Sequence, residues 1–168
     1  TNDATIEFFV WSDNFSSVGT NFDMRKDHNT SVMSNSNSSG QYRLYANSGY
    51  RITADTAVTA KTWNHIAFTR TSGVWRMYVN GLLQSTTYDD SSANYTGNIV
   101  YIGSERDTTT ELTGYISNFR MVIGSVVYTG DSFAVPTSAL TAVSNTKLLT
   151  CQNAAGTVVT NGAYNFTT

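Results

Sequence analysis

Residues 62–81 read TWNHIAFTRTSGVWRMYVNG, and the alternation in this stretch decides the fold. Strand side chains point to opposite faces in turn, so Ile66 and Phe68 share one face while His65, Ala67 and Thr69 take the other. Thr71-Ser72-Gly73 supplies the polar residues and the glycine of a tight turn. The second run sets Trp75, Met77 and Val79 on one face, and Arg76, Tyr78 and Asn80 on the other. Asn80-Gly81 closes it, because a type I′ turn needs positive φ at both central residues and these two tolerate it best. Leu82, Leu83 and Gln84 open the returning strand, completing a three-strand meander with one apolar face.

The same pattern recurs outward. Residues 5–11 alternate as a strand, and residues 41–46 and 50–52 flank the turn Asn47-Ser48-Gly49. Residues 99–102, 114–122, 126–128, 147–152 and 157–160 read as further short strands. Between Ser12 and Gly40 the chain is polar, with Phe15, Val18 and Phe22 isolated. There a short strand is expected only at Val32-Met33, and residues 35–40 are expected to form an exposed loop. Ile116 and Phe119 stand three apart although both belong in a core, which predicts a bulge at Ser117-Asn118. No segment combines sustained helical spacing with a capping signal, so very little helix is expected. A dozen or so short strands in 168 residues predict a single all-β domain, a jelly-roll sandwich of two antiparallel sheets.

Composition narrows the function. Charged residues make up 13% of the chain, about half the usual share, so solubility rests on Ser, Thr and Asn. A formal charge of −2, with no Lys/Arg cluster, excludes an electrostatic surface for nucleic acid. No apolar run approaches the ~18–20 residues that a spanning helix needs, so no membrane insertion is expected. Cys151 is the only cysteine, which leaves no internal disulfide, and its neighbours Leu148, Leu149 and Thr150 suggest a buried strand thiol. Sequons at Asn14, Asn29, Asn37, Asn94 and Asn165 are no more than the abundance of Asn, Ser and Thr supplies.

The run WNHIAFTR followed by GVWRMYVNG resembles the central signature of laminin-G-like domains in the concanavalin A-like lectin/glucanase superfamily. TIEFFVW at residues 5–11, Ile102-Gly103, and GYISNFR at residues 114–120 resemble its other strands in the same order. The resemblance spans roughly residues 5–123 and is of the kind found in phage structural proteins. It implies the sandwich fold and leaves function open, because this scaffold carries lectins, glycosidases and structural modules alike. Family members usually carry a strand before the segment that begins here at Thr5. Either an upstream piece completes this chain, or its last residues fill that place, or an unpaired edge awaits a neighbouring subunit.

Candidate chemistry follows from that resemblance. Glycosidases of the superfamily carry E-x-D-x-E on one strand, since glycoside hydrolysis needs two carboxyl groups flanking the bond. Glu7 stands alone on its strand, so no enzyme is expected and a glycoside hydrolase is the remote alternative. His28 and His65 lack companions at metal-ligand spacing, and His65 is expected to make a structural hydrogen bond. Several laminin-G-like domains bind one Ca²⁺ at a rim, which makes Asp89, Asp90, Glu105, Asp107 and Glu111 the candidate ligands of an optional calcium. Tyr88, Tyr95, Arg106 and Asp107 are the candidate glycan-binding residues, as ring faces and polar edges suit sugars. Trp63 and Trp75 match family core positions, and for that reason are not expected to form a sugar platform. The expected protein is a non-catalytic, extracellular binding or structural module on a virion or appendage, requiring no cofactor. Its expected partners are a glycan or neighbouring protein subunits, and a soluble secreted lectin with a rim calcium is the alternative.

Overall fold

The computed structural model describes residues 3–27, 31–93, 95, 99–107 and 109–152. The expected strand at residues 157–160, His28 and the sequons at Asn29, Asn94 and Asn165 lie outside the described residues. In chain order the strands are β1 (Ala4–Ser12), β2 (Gly19–Asp23), β3 (Val32–Ser36), β4 (Tyr42–Ala46), β5 (Gly49–Thr53) and β6 (Trp63–Thr71). There follow β7 (Val74–Val79), β8 (Leu82–Leu83), β9 (Tyr88–Asp89), β10 (Tyr101–Ile102), β11 (Gly114–Ile123) and β12 (Thr146–Thr150). Among the described residues there is no helix, so none is long and apolar enough to cross a membrane.

The meander forms as its alternation requires. β6 pairs antiparallel with β7, Phe68 opposite Met77 and Ile66 opposite Val79. The first turn is tighter than expected: Thr71 pairs with Val74, which leaves only Ser72 and Gly73 between the strands, at φ of 49° and 87°. Asn80 and Gly81, at φ of 50° and 79°, make the second turn and bring Leu82 opposite Val79. Both are two-residue turns of the mirror-image kind, whose twist matches that of the strands.

Around this hairpin a seven-stranded sheet runs β12-β11-β1-β6-β7-β8, with β9 also on β7. A five-stranded sheet, β10-β2-β3-β4-β5, packs against it. The strand pairs are antiparallel, and the two layers form the expected sandwich. Phe22 is the bridge between the layers. Its ring meets Phe8, Phe68 and Phe119 edge-on, with centroids 5.9–6.0 Å apart. Ile6, Val10, Ile66, Met77, Leu44 and Ile52 fill the space around it, all fully buried.

Several expectations need correction. The stretch between Ser12 and Gly40 holds two full strands, β2 and β3, and Asn35 and Ser36 belong to β3 and are buried instead of lying in an exposed loop. Residues 126–128 form no strand, because they cross the sheet's outer face instead of joining its edge. The predicted bulge is present. Glu7 pairs with Arg120 and Phe9 with Ser117, so Phe8 faces the two residues Asn118 and Phe119, and Asn118 takes φ of 53°. That extra residue lets both Ile116 and Phe119 turn inward.

Candidate functional site

Alternation along β1 sends Ile6, Phe8 and Val10 into the sandwich, so Thr5, Glu7, Phe9 and Trp11 must face outward from the larger sheet. Residues 124–145 return across that outer face as a strap. Val127 N donates to Thr5 Oγ1 at 2.9 Å, and the Tyr128 hydroxyl donates to Glu7 Oε2 at 2.7 Å. Tyr78 donates to the Gly130 carbonyl at 2.9 Å, and Arg120 donates to the Thr141 carbonyl at 2.7 Å. Phe133 stacks on Tyr128 at 3.6 Å and closes over His65.

Beneath the strap Glu7 is fully buried and fully engaged. Arg120 Nη2 reaches its Oε1 at 2.5 Å, and His65 Nε2 lies 3.1 Å from its Oε2. Burial pushes the Glu7 carboxyl up, but the hydrogen bonds from His65, Tyr128 and Arg120 outweigh it and hold the carboxyl below the usual range. The same carboxylate, together with burial, pushes the Tyr128 phenol well above its ordinary value. His65 therefore has the structural hydrogen bond expected of it. This cluster ties strap to sheet and exposes no reactive group.

The strap stops short of one end of the sheet. There the register sets Trp63 of β6 opposite Trp11 of β1, and Trp11 opposite Tyr115 of β11. Three large aromatic residues thus form one row across three adjacent strands. Trp11 and Tyr115 have ring centroids 5.4 Å apart. Trp63 is 52% exposed and Tyr115 is 65% exposed. Phe9 continues the floor beside Trp63 and Tyr115, and an open groove of about 690 Å³ runs over it. Pro136, Thr137 and Ser138 of the strap form one wall, and Ser117, Asn118 and Cys151 form the other. Trp75 does occupy the core, 2% exposed, as its family position implied. Trp63 does not, because its outward parity on β6 places it beyond the reach of the strap. Cys151 is also exposed, just past the end of β12, and the expectation of a buried strand thiol fails there.

The residues singled out from sequence have other occupations. Asp90 is buried, its Oδ1 taking Arg70 Nε at 2.8 Å and its Oδ2 taking Trp75 Nε1 at 2.9 Å. The Tyr95 hydroxyl also donates to Asp90, and the Tyr95 ring packs beside Trp75. Tyr88 pairs with Trp75 through β9 and lies under the Arg51 guanidinium. Glu105 binds Arg25, which is itself buried against Asp23. Arg106 donates from its backbone N–H to Asp23 Oδ2 at 3.1 Å. Asp107, exposed, accepts from Thr109 Oγ1 at 2.9 Å, and that hydrogen bond lowers its carboxyl below the ordinary range. Asp89 and Glu111 are exposed. Asp90 and Glu105 spend their oxygens on arginines, so the five acids do not converge. Among the described residues no group of three His, Cys, Asp or Glu side chains could hold a metal ion. The five acids therefore form no single ligand cluster among the described residues.

A family model of the Concanavalin A-like lectin/glucanases superfamily matches residues 1–124. The chain belongs to this superfamily, in its laminin G branch. No curated protein matches it. Among solved structures, a putative carbohydrate binding protein from Bacteroides ovatus superposes with a TM-score of 0.60 at 18% identity, over 72% of this chain and 37% of that one. Domain 4 of AbnA, an extracellular GH43 arabinanase from Geobacillus stearothermophilus solved with arabinotriose, gives 0.58 at 18% identity, over 75% and 63%. Domains LG4-5 of the mouse laminin α1 chain give 0.56 at 15% identity, over 71% and 35%. The chain spans less than two thirds of each of these proteins, and the likeness is one of fold.

Proposed function

We propose that this chain is a non-catalytic glycan-binding module, with the Trp63–Trp11–Tyr115 row as its sugar platform. The row itself carries the reading. The strap covers Thr5, Glu7 and His65 on the sheet's outer face and leaves Trp63 and Tyr115 exposed, with half-buried Trp11 between them, beside a groove walled by hydroxyl and amide groups. Sugar rings stack their C–H faces on aromatic planes while their hydroxyls seek polar groups at the rim, and this groove offers both. The arabinotriose-bound neighbour supports the ligand class.

Bond cleavage has no support at this site. The groove's described lining contains no carboxyl group, and Glu7 is locked under the strap by Arg120, His65 and Tyr128. Binding of this kind requires no metal, so chelation leaves it intact. The low charge, the Ser/Thr/Asn-rich surface and the single cysteine support display outside the cell on a larger assembly, such as a virion or appendage. Strands β5 and β12 end their sheets and offer backbone edges to neighbouring subunits there.

Immobilised polysaccharides and oligosaccharides provide the test. The wild-type chain is expected to bind at least one of them, with and without chelator, and to release no reducing sugar. Trp63→Ala is expected to abolish binding without altering the melting temperature, since Trp63 is half-exposed. Binding that survives Trp63→Ala, or sugar release that follows the protein, overturns the proposal.

A further inference from the structure

We infer that the groove selects uncharged glycans, an inference that rests on the glycan-binding reading above. Its described lining is aromatic, aliphatic, hydroxyl or amide apart from the Cys151 thiol, and no charged side chain contributes to it. A sialic acid, uronic acid or sulfated sugar settling on this floor would shed water from its anionic group without meeting a counter-charge. That desolvation is costly unless the charge is paired.

Four of the arginines are engaged away from the groove. Arg120 is held by Glu7 beneath the strap, and Arg70 by Asp90 at the far side of the hairpin. Arg25 is clamped between Asp23 and Glu105, and Arg51 donates to the backbone of Ala46. Near the Trp11–Trp63 end of the row, Lys61 lies 3.7 Å from Asp13, so that corner presents both signs together. A neutral sugar avoids the penalty. Its hydroxyls can be met by Ser117, Asn118, Thr137 and Ser138, while its ring faces cover Trp63 and Tyr115.

The dimensions suit a short segment of such a chain. Three aromatic residues on neighbouring strands span roughly 10 Å across the sheet, on the order of two sugar rings. The glycan therefore lies across the strands, between the strap and the end of β12.

The test is a glycan array holding matched neutral and acidic oligosaccharides, probed with wild-type chain, Trp63→Ala, Tyr115→Ala and Lys61→Ala. Hits are expected among neutral glycans and are expected to fall about tenfold or more in both aromatic variants. They should be unchanged in Lys61→Ala, and unchanged between about 0.05 and 0.5 M salt, because no ion pair is screened. Hits confined to acidic glycans, lost in Trp63→Ala and weakened by salt, would overturn the charge selection while leaving the glycan-binding groove in place. An array with no hit sensitive to Trp63→Ala would overturn both.

Discussion

At the scale of single residues, Glu7 and Trp63 show how much parity decides. Both face outward from the same sheet, yet one is sealed under the strap and the other is open. Glu7 could be read from sequence as a lone acid on a strand, but its three partners arrive from β6, β11 and the strap, and no local pattern announces them. A depressed carboxyl fixes the sign of its pH effect. The unfolded carboxyl titrates near 4.5, so below that value the unfolded chain takes up protons that the folded chain still refuses. The contribution of Glu7 is thus fully present above about pH 4.5 and fades as pH falls through the lower folded value. Glu7→Gln, which leaves Arg120 buried without a counter-charge, should cost ~3 kcal/mol at neutral pH by urea unfolding, with the gap to wild type narrowing in acid. A constant gap across that range would show that Glu7 carries no charge-dependent role. The family signature implies a core place for Trp63, whereas its parity with His65 sends it outward. Cys151 offers a second handle on the groove. Coupling a bulky maleimide to this exposed wall residue should block glycan binding, while Cys151→Ser binds normally after the same treatment.

Among the elements, those with two or more apolar residues on one face were legible, and those held by polar contacts were not. The hairpin β6–β7 and the strands β1, β4 and β11 declared themselves by alternation, and the spacing of Ile116 and Phe119 even located the bulge. β2, with sequence GTNFD, sends only Phe22 to the core. Its polar side chains make hydrogen bonds instead, as between Asn21 Nδ2 and Ser34 or between Thr20 and Thr110. β3 turns Ser34 and Ser36 inward, so its core face carries almost no apolar signal. Residues 126–128 read as a strand because Val126, Val127 and Tyr128 are β-formers, yet their bonds run to the Thr5 and Glu7 side chains, and further along, the strap bonds to β8 and to the Asn80-Gly81 turn. Gly81 joins that turn to the strap. It holds φ of 79°, and a Cβ there would meet the Phe133 carbonyl oxygen at 2.3 Å. Gly81→Ala should therefore strain the turn and lift the strap together, costing ~1–3 kcal/mol by chemical denaturation. Hydrogen exchange should quicken at Phe133, whose N–H donates to the Gly81 carbonyl at 2.9 Å.

On the scale of the whole molecule, one aromatic residue joins the two layers and a single strap divides buried from available surface. Phe22→Ala removes the ring that Phe8, Phe68 and Phe119 share, and should cost ~3–5 kcal/mol by guanidinium unfolding. The fold class and the absence of a hydrolase motif could be read from the chain alone. The site could not, because Trp63, Trp11 and Tyr115 are far apart in sequence and meet only through strand register. Of the loop acids, Asp90 and Glu105 are consumed by arginines, and Tyr88 and Tyr95 lie beside Trp75 at the core edge. The three tryptophans of the chain provide a direct check on this division. Their indole N–H resonances can be followed by NMR during titration with a neutral oligosaccharide that the chain binds. The indoles of Trp63 and Trp11 should shift while that of Trp75, donated to Asp90 at 2.9 Å, stays still. Movement of Trp75 alone, or of none of the three, would contradict a sugar platform on the outer face of the larger sheet.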